Sequence, residues 1–144
     1  MEKLKQTYCG SIGIEFSDIP YKSQRGWLER QMEPTLNRPK FTAEQSKAIL
    51  NQLIEAEEFE QFLHTKYIGY KRFSAEGGDS LIPLLHETML YAGAHDVEEV
   101  VIGMAHRGRL NVLVNILGKS PSMLFDEFEG KSHANNPDRP GDVK

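Results

Sequence analysis

The stretch Val100–Leu117, VVIGMAHRGRLNVLVNIL, constrains this chain more than any other. Apolar Val100, Val101 and Ile102 run into Gly103, the run breaks at Ala105-His106-Arg107-Gly108-Arg109, and a second apolar segment follows at once. The spacing predicts a buried strand, a tight loop over Gly103–Gly108 and a buried helix from about Arg109 onward. A loop at the carboxyl end of a strand and before a helix N-terminus offers unpaired N–H groups and a favourable dipole to an anion. Arg107 and Arg109 can add charge-assisted bonds to phosphate or carboxylate. His106 is the one member of the three whose charge can change near neutral pH. Taken alone, the same residues also suit a hydrogen-bonded structural histidine beside a solvated helix start.

Around this stretch the pattern is helical. Ser23–Met32 reads as a short helix with Trp27, Leu28 and Met32 directed inward, and Pro34 and Pro39 mark a connecting loop. Thr42 opens the next helix with Gln45 as a capping-box partner. Its stripe of Ile49, Leu50, Leu53 and Ile54 gives way near Glu55–Glu58 to a second one, Phe59, Phe62, Leu63 and Tyr67. Two helices or one bent helix would produce that change of phase, with the Glu-rich face solvated. Gly69 stops the element. Glu76-Gly77-Gly78-Asp79 reads as a turn or a ligand-approach loop. Ser80 would then cap a clean amphipathic helix on Leu81, Leu84, Leu85, Thr88, Met89 and Ala92, ended by Gly93.

Ser120 and Pro121 start a last short helix through Leu124, Phe125 and Phe128. Near the N-terminus, Ile12, Ile14 and Phe16 alternate as in a short strand or extended segment, closed by Pro20. The fold expected is therefore mostly α with one central strand, and a single strand cannot make a sheet by itself. Three regions follow: an extended and short-helix segment over 1–40, a helical flank leading into an α/β part over 41–131, and a disordered tail over 132–144, which is nearly devoid of apolar residues.

Composition narrows the function classes. At 144 residues the chain can hold one real core. A net charge of −4 gives no support to a nucleic-acid or anionic-membrane partner. No apolar run approaches membrane-spanning length, and MEKLKQTYCG lacks the apolar core of a signal peptide. Cys9 stands alone, which excludes an internal disulfide and suits a small packing residue in a reducing, cytoplasmic setting.

GMAHRGRLNVL (Gly103–Leu113), preceded by FLHTKYIGYKRFSAEGGDSLIPLL (Phe62–Leu85), resembles the E1 component of 2-oxoglutarate dehydrogenase, and TYCGSIGIEF (Thr7–Phe16) resembles the same family. The three blocks follow the family's order over nearly the whole chain. Family members are several times longer, so the likeness is to an internal piece. It implies part of an α/β thiamine diphosphate-binding fold, incomplete in this chain. It also implies a role in oxidative decarboxylation of 2-oxoglutarate with thiamine diphosphate and Mg²⁺, and succinyl transfer to the lipoyl arm of an E2 dihydrolipoyl succinyltransferase. The full-length protein would be a homodimer in the cytoplasm, or in the mitochondrial matrix of a eukaryote.

By motif, His106 corresponds to the family's active-site histidine beside the cofactor and the 2-oxo acid. Arg107 matches the arginine at the cofactor, and Arg109 and Asn111 are motif support. Lys71, Arg72 and Glu76 match a motif without an assigned role. Ala75 stands where the family often has a larger aliphatic residue. No Gly-Asp-Gly…Asn stretch supplies Mg²⁺ ligands, since Asp79 and Asp142 are isolated. The alternatives are a catalytically inactive fragment or interaction piece, and a 2-oxoadipate-type E1.

Overall fold

A computed structural model describes residues 1–131. The tail expected to be disordered, 132–144, lies outside the described residues. Among the described residues, six α-helices and a single 3-10 turn follow one another in the order α1 (Glu2–Tyr8), α2 (Lys22–Met32), the turn Glu33–Thr35, α3 (Ala43–Lys66), α4 (Leu81–Gly93), α5 (Arg109–Asn115) and α6 (Pro121–Phe128). The expectation of a mostly α chain holds. The central strand does not: residues 97–105 form no regular element, and no strand occurs among the described residues. A strand exists only where a second backbone accepts its N–H groups and donates to its carbonyls. No backbone hydrogen bond joins residues 98–105 to another segment of the described chain, and Val101, expected to be buried, is 86% exposed. A full α/β thiamine diphosphate-binding fold is correspondingly not formed by these residues.

The chain divides into two compact units, residues 1–44 and the part from Gln45 onward. In the first, α1 is a helix that the N-terminal pattern did not announce. Thr7 is buried and its hydroxyl donates to Lys3 O at 2.9 Å. Tyr8 reaches Glu33 through a 2.9 Å hydrogen bond. Ile12–Phe16 forms no strand and Ile12 is exposed. Trp27, expected inward, is 52% exposed, while Leu28 and Met32 are half-buried. Cys9 is exposed, so it is not a packing residue.

The second unit is built on α3, one uninterrupted helix of 24 residues. The change of stripe is real without a break in the helix. Leu50 and Ile54 are exposed, whereas Ala56, Glu60 and Leu63 are buried. Two clusters cover that buried face. Leu63 and Tyr67 pack on Leu124 and Phe128 of α6, with Phe59, Leu110, Val114 and Phe125 around them. Tyr67 and Phe128 stack with centroids 4.4 Å apart. Ala56, one turn before Glu60, joins Ile82 of α4 and Val112 of α5, flanked by Leu81, Leu85 and Ile116.

Ser80 and Ser120 stand at the expected N-cap positions but neither makes a side-chain cap hydrogen bond, and Gly93 is the last residue of α4 with Ala94, not Gly93, as its C-cap. Ser80 precedes α4, which places Pro83 at the third helical position where it has no N–H to lose. Ser120 precedes α6 and Pro121 is its first residue. At the start of α3, the backbone N–H of Glu44, and after it the Thr42 side chain, hold the Glu44 carboxyl below its ordinary range.

Candidate functional site

The expected break in the apolar run is a tight turn over His106–Gly108, and α5 begins at Arg109 as the pattern predicts. Gly108 makes the turn possible. Its backbone is left-handed, at φ 72° and ψ 6°. Arg109 N–H donates to His106 O at 3.2 Å, and Val112 N–H to Gly108 O at 3.0 Å, so the turn runs directly into the helix.

The turn is docked on the segment between α3 and α4. Gly108 N–H donates to Phe73 O at 2.9 Å. The guanidinium Nη1 of Arg107 donates to Ser74 O at 3.2 Å. The ring of His106 lies against that of Phe73, centroids 3.8 Å apart and tilted by 37°. A Cβ on Gly108 would stand 3.2 Å from Cβ of Ala75, so the two backbones approach as closely as small residues allow. The Tyr70–Ser80 stretch that precedes α4 is itself folded tightly: Gly78 N–H donates to Ala75 O at 2.8 Å and Leu81 N–H to Gly78 O at 2.9 Å.

The four residues singled out from the sequence therefore separate. His106 and Arg107 are exposed neighbours on one anchored turn. Arg109 is the half-buried first residue of α5. Asn111 is fully buried and faces α3, donating from Nδ2 to Ala56 O at 2.9 Å and to Glu60 Oε1 at 3.2 Å. Its Oδ1 accepts from Asn115 at 2.6 Å. Asn111 thus supports the helix that follows the turn and does not reach the exposed side.

Glu60 is the residue that sequence reasoning missed, having been assigned to a solvated acidic face. A usable signal was present, since Ala56, Glu60, Leu63 and Tyr67 fall at i, i+4, i+7 and i+11, one helical stripe. Arg72, which had no role, donates to Glu60 Oε2 at 2.8 Å.

A cleft of about 310 Å³ opens beside Ser74, lined by Glu57, Glu60, Gln61, His64, Arg72, Ser74, Glu76 and Asp79. Its charge is mainly negative, and neither His106 nor Arg107 lines it. The acidic lining disfavours a phosphate or carboxylate in the cleft. What the turn offers is a permanent cation and an imidazole on adjacent exposed residues, on a turn held by one backbone bond and two side-chain contacts. Such a pair can bind an anionic group and hydrogen-bond a second one beside it.

No family model matches the chain. Over 144 residues it is 53% identical to the 2-oxoglutarate dehydrogenase E1 component of Cupriavidus necator. Over 143 residues, 99% of the chain, it is 49% identical to that of Haemophilus influenzae. With the E1 component of Azotobacter vinelandii it shares 50% identity over 131 residues, 91% of the chain. The chain spans about 15% of the length of the relatives it matches.

Proposed function

We propose that this chain, similar along its whole length to a segment of 2-oxoglutarate dehydrogenase E1 components, contributes one wall of the thiamine diphosphate site of such a component. In that role it takes part in oxidative decarboxylation of 2-oxoglutarate and in passage of the succinyl group to the lipoyl arm of a dihydrolipoyl succinyltransferase. The observation that carries the reading is the 53% identity over all 144 residues, which runs through the turn and through both segments that hold it.

Thiamine diphosphate, when bound, supplies the electron sink for decarboxylation. The chain's own residues bind and orient. Arg107 presents a cation that never loses its proton, with N–H groups in a planar fork suited to diphosphate or carboxylate oxygens. Its bond to Ser74 O engages one terminal nitrogen and fixes the direction of the fork. The imidazole of His106, steadied against Phe73, hydrogen-bonds the carboxylate of the 2-oxo acid through a ring nitrogen and can hold or release a proton there.

The donor set fits the diphosphate end and not the metal end. Mg²⁺ takes oxygen ligands, and among the described residues no three His, Cys, Asp or Glu side chains are grouped to hold a metal ion. No step is therefore assigned to Mg²⁺ through these residues.

The test is a chimera in which these 144 residues replace the matching segment of the Cupriavidus necator E1 component. His106→Ala is expected to lower the rate of 2-oxoglutarate decarboxylation while the far-ultraviolet circular dichroism stays unchanged. Arg107→Ala is expected to weaken cofactor or substrate binding by about 1.5–3 kcal/mol, one charge-assisted hydrogen bond. Unchanged kinetics in both variants would remove the turn from the site.

A further inference from the structure

The buried stripe of α3 carries one charged residue. Glu60 is 8% exposed, on the same face as Ala56 and Leu63. A carboxylate so placed is strongly disfavoured unless it is paired and its oxygens are occupied. Both are occupied. Oε2 accepts from Arg72 at 2.8 Å. Oε1 accepts from the backbone N–H of Ala75 at 3.0 Å and from Asn111 Nδ2 at 3.2 Å.

These donors come from two different parts of the unit. Arg72 and Ala75 bracket Phe73 and Ser74, the residues against which His106 and Arg107 are docked. Asn111 belongs to α5, which begins immediately after Gly108, the turn's last residue. One side chain on α3 therefore ties down both sides of the His106–Arg107 turn without touching either residue.

We propose that Glu60 is a positioning residue for the His106–Arg107 turn, acting through Arg72 and Ala75 on one side and Asn111 on the other. The inference rests on the reading of that turn as the site. Without the carboxylate, the Ala75 N–H and the Arg72 guanidinium lose their acceptor. The 71–75 segment then loses its tether to α3, and with it the carbonyls of Phe73 and Ser74 that fix the turn. A purely apolar residue at 60 could fill the space, but it could not accept from three donors at once.

Amide hydrogen exchange and the proton shifts of the His106 ring, read by NMR on the 144-residue chain, test this directly. In Glu60→Ala, exchange at Ala75 and Gly108 is expected to quicken about ten-fold or more, the loss of one charge-assisted bond. The His106 ring protons should move toward free-histidine values as the Phe73 ring departs. Exchange in α6, which packs in the other cluster, should stay as in the wild type. Glu60→Gln keeps a carbonyl oxygen for Ala75 and Asn111 but loses the charge that faces Arg72. It is expected to lie between the wild type and Glu60→Ala at Gly108.

Wild-type exchange at Gly108 in Glu60→Gln, or a uniform quickening that includes α6, would overturn the proposal. Should Glu60→Ala fail to fold, Glu60→Gln decides by the same criteria. These readouts need no cofactor. Failure of the chimera's kinetics would remove the site assignment while leaving the tether intact, and failure of the exchange pattern would do the reverse.

Discussion

Gly108 is the residue whose replacement should be felt most sharply. It combines a left-handed backbone at φ 72° with a Cβ position 3.2 Å from Ala75. Gly108→Ala is expected to cost about 2 kcal/mol or more in urea unfolding, from backbone strain and overpacking together. Gly77, at φ 83° with nothing near its Cβ position, is the control, since Gly77→Ala should cost only the backbone part of about 1 kcal/mol. Equal losses would mean that close approach to Ala75 contributes nothing. At the other end of the chain, partial burial, the hydrogen bond to Glu33 and the nearby Glu33 and Glu29 charges push the Tyr8 phenol from 10.0 up to about 12. A group whose folded-state pKa is raised contributes stability that is complete below its unfolded value. That contribution is lost as the pH rises, so the relevant window is about 10 to 12. Ultraviolet titration of the phenolates should show late titration that Tyr8→Phe diminishes, the remainder belonging to Tyr67, which burial and Glu129 also raise. The role of Gly108 could be suspected from its sequence, where two apolar segments meet. The burial of Glu60 could be suspected from its stripe, but its partners, like that of Tyr8, could not, because each lies far away along the chain.

At the scale of elements, α3 and the irregular segment before the turn behave oppositely. Leu124 of α6 is fully buried against Leu63 and Tyr67, so Leu124→Ala should destabilise by about 2–5 kcal/mol, the usual cost of a core cavity. Val101 lies in an apolar run of the same character but is exposed, and Val101→Lys should change stability by no more than about 0.5 kcal/mol. A loss of several kcal/mol at Val101 would show that the segment has a partner in solution. Periodicity located α2, α3, α4, α5 and α6 because a helix satisfies its backbone internally and needs only one apolar face. The run Val100–Ile102 misled for the complementary reason. Its residues favour a strand, but strand hydrogen bonds require a neighbour, and hydrophobicity alone cannot supply one.

For the whole molecule, the decisive quantity is coverage, since the chain corresponds to about 15% of relatives named as E1 components. A complete thiamine diphosphate site needs Mg²⁺ ligands, a diphosphate cradle and a group that activates the pyrimidine, and the turn is proposed as part of the cradle alone. Mixed with thiamine diphosphate, Mg²⁺ and 2-oxoglutarate, the purified chain is therefore expected to release no CO₂ above background, and calorimetry to find no tight Mg²⁺-dependent cofactor binding. Clear turnover would refute the incomplete-site reading. Among the described residues no helix is long and apolar enough to cross a membrane.

The helical character, the position of the turn and the likeness to E1 components could all be read from the amino-acid order. Each rests on local spacing or on matching residues one by one. Which apolar faces became core was a tertiary decision. Leu50 and Ile54 have the spacing of buried residues yet are exposed, while Ala56 and Leu63 a turn or two later are covered by α4, α5 and α6. The same holds for charge. The Glu-rich surface of α3 is solvated at Glu55, Glu57 and Glu58, and only Glu60 meets donors able to offset its desolvation. Burial of a charged or apolar side chain depends on what arrives from elsewhere in the chain, and that is information a linear pattern does not carry.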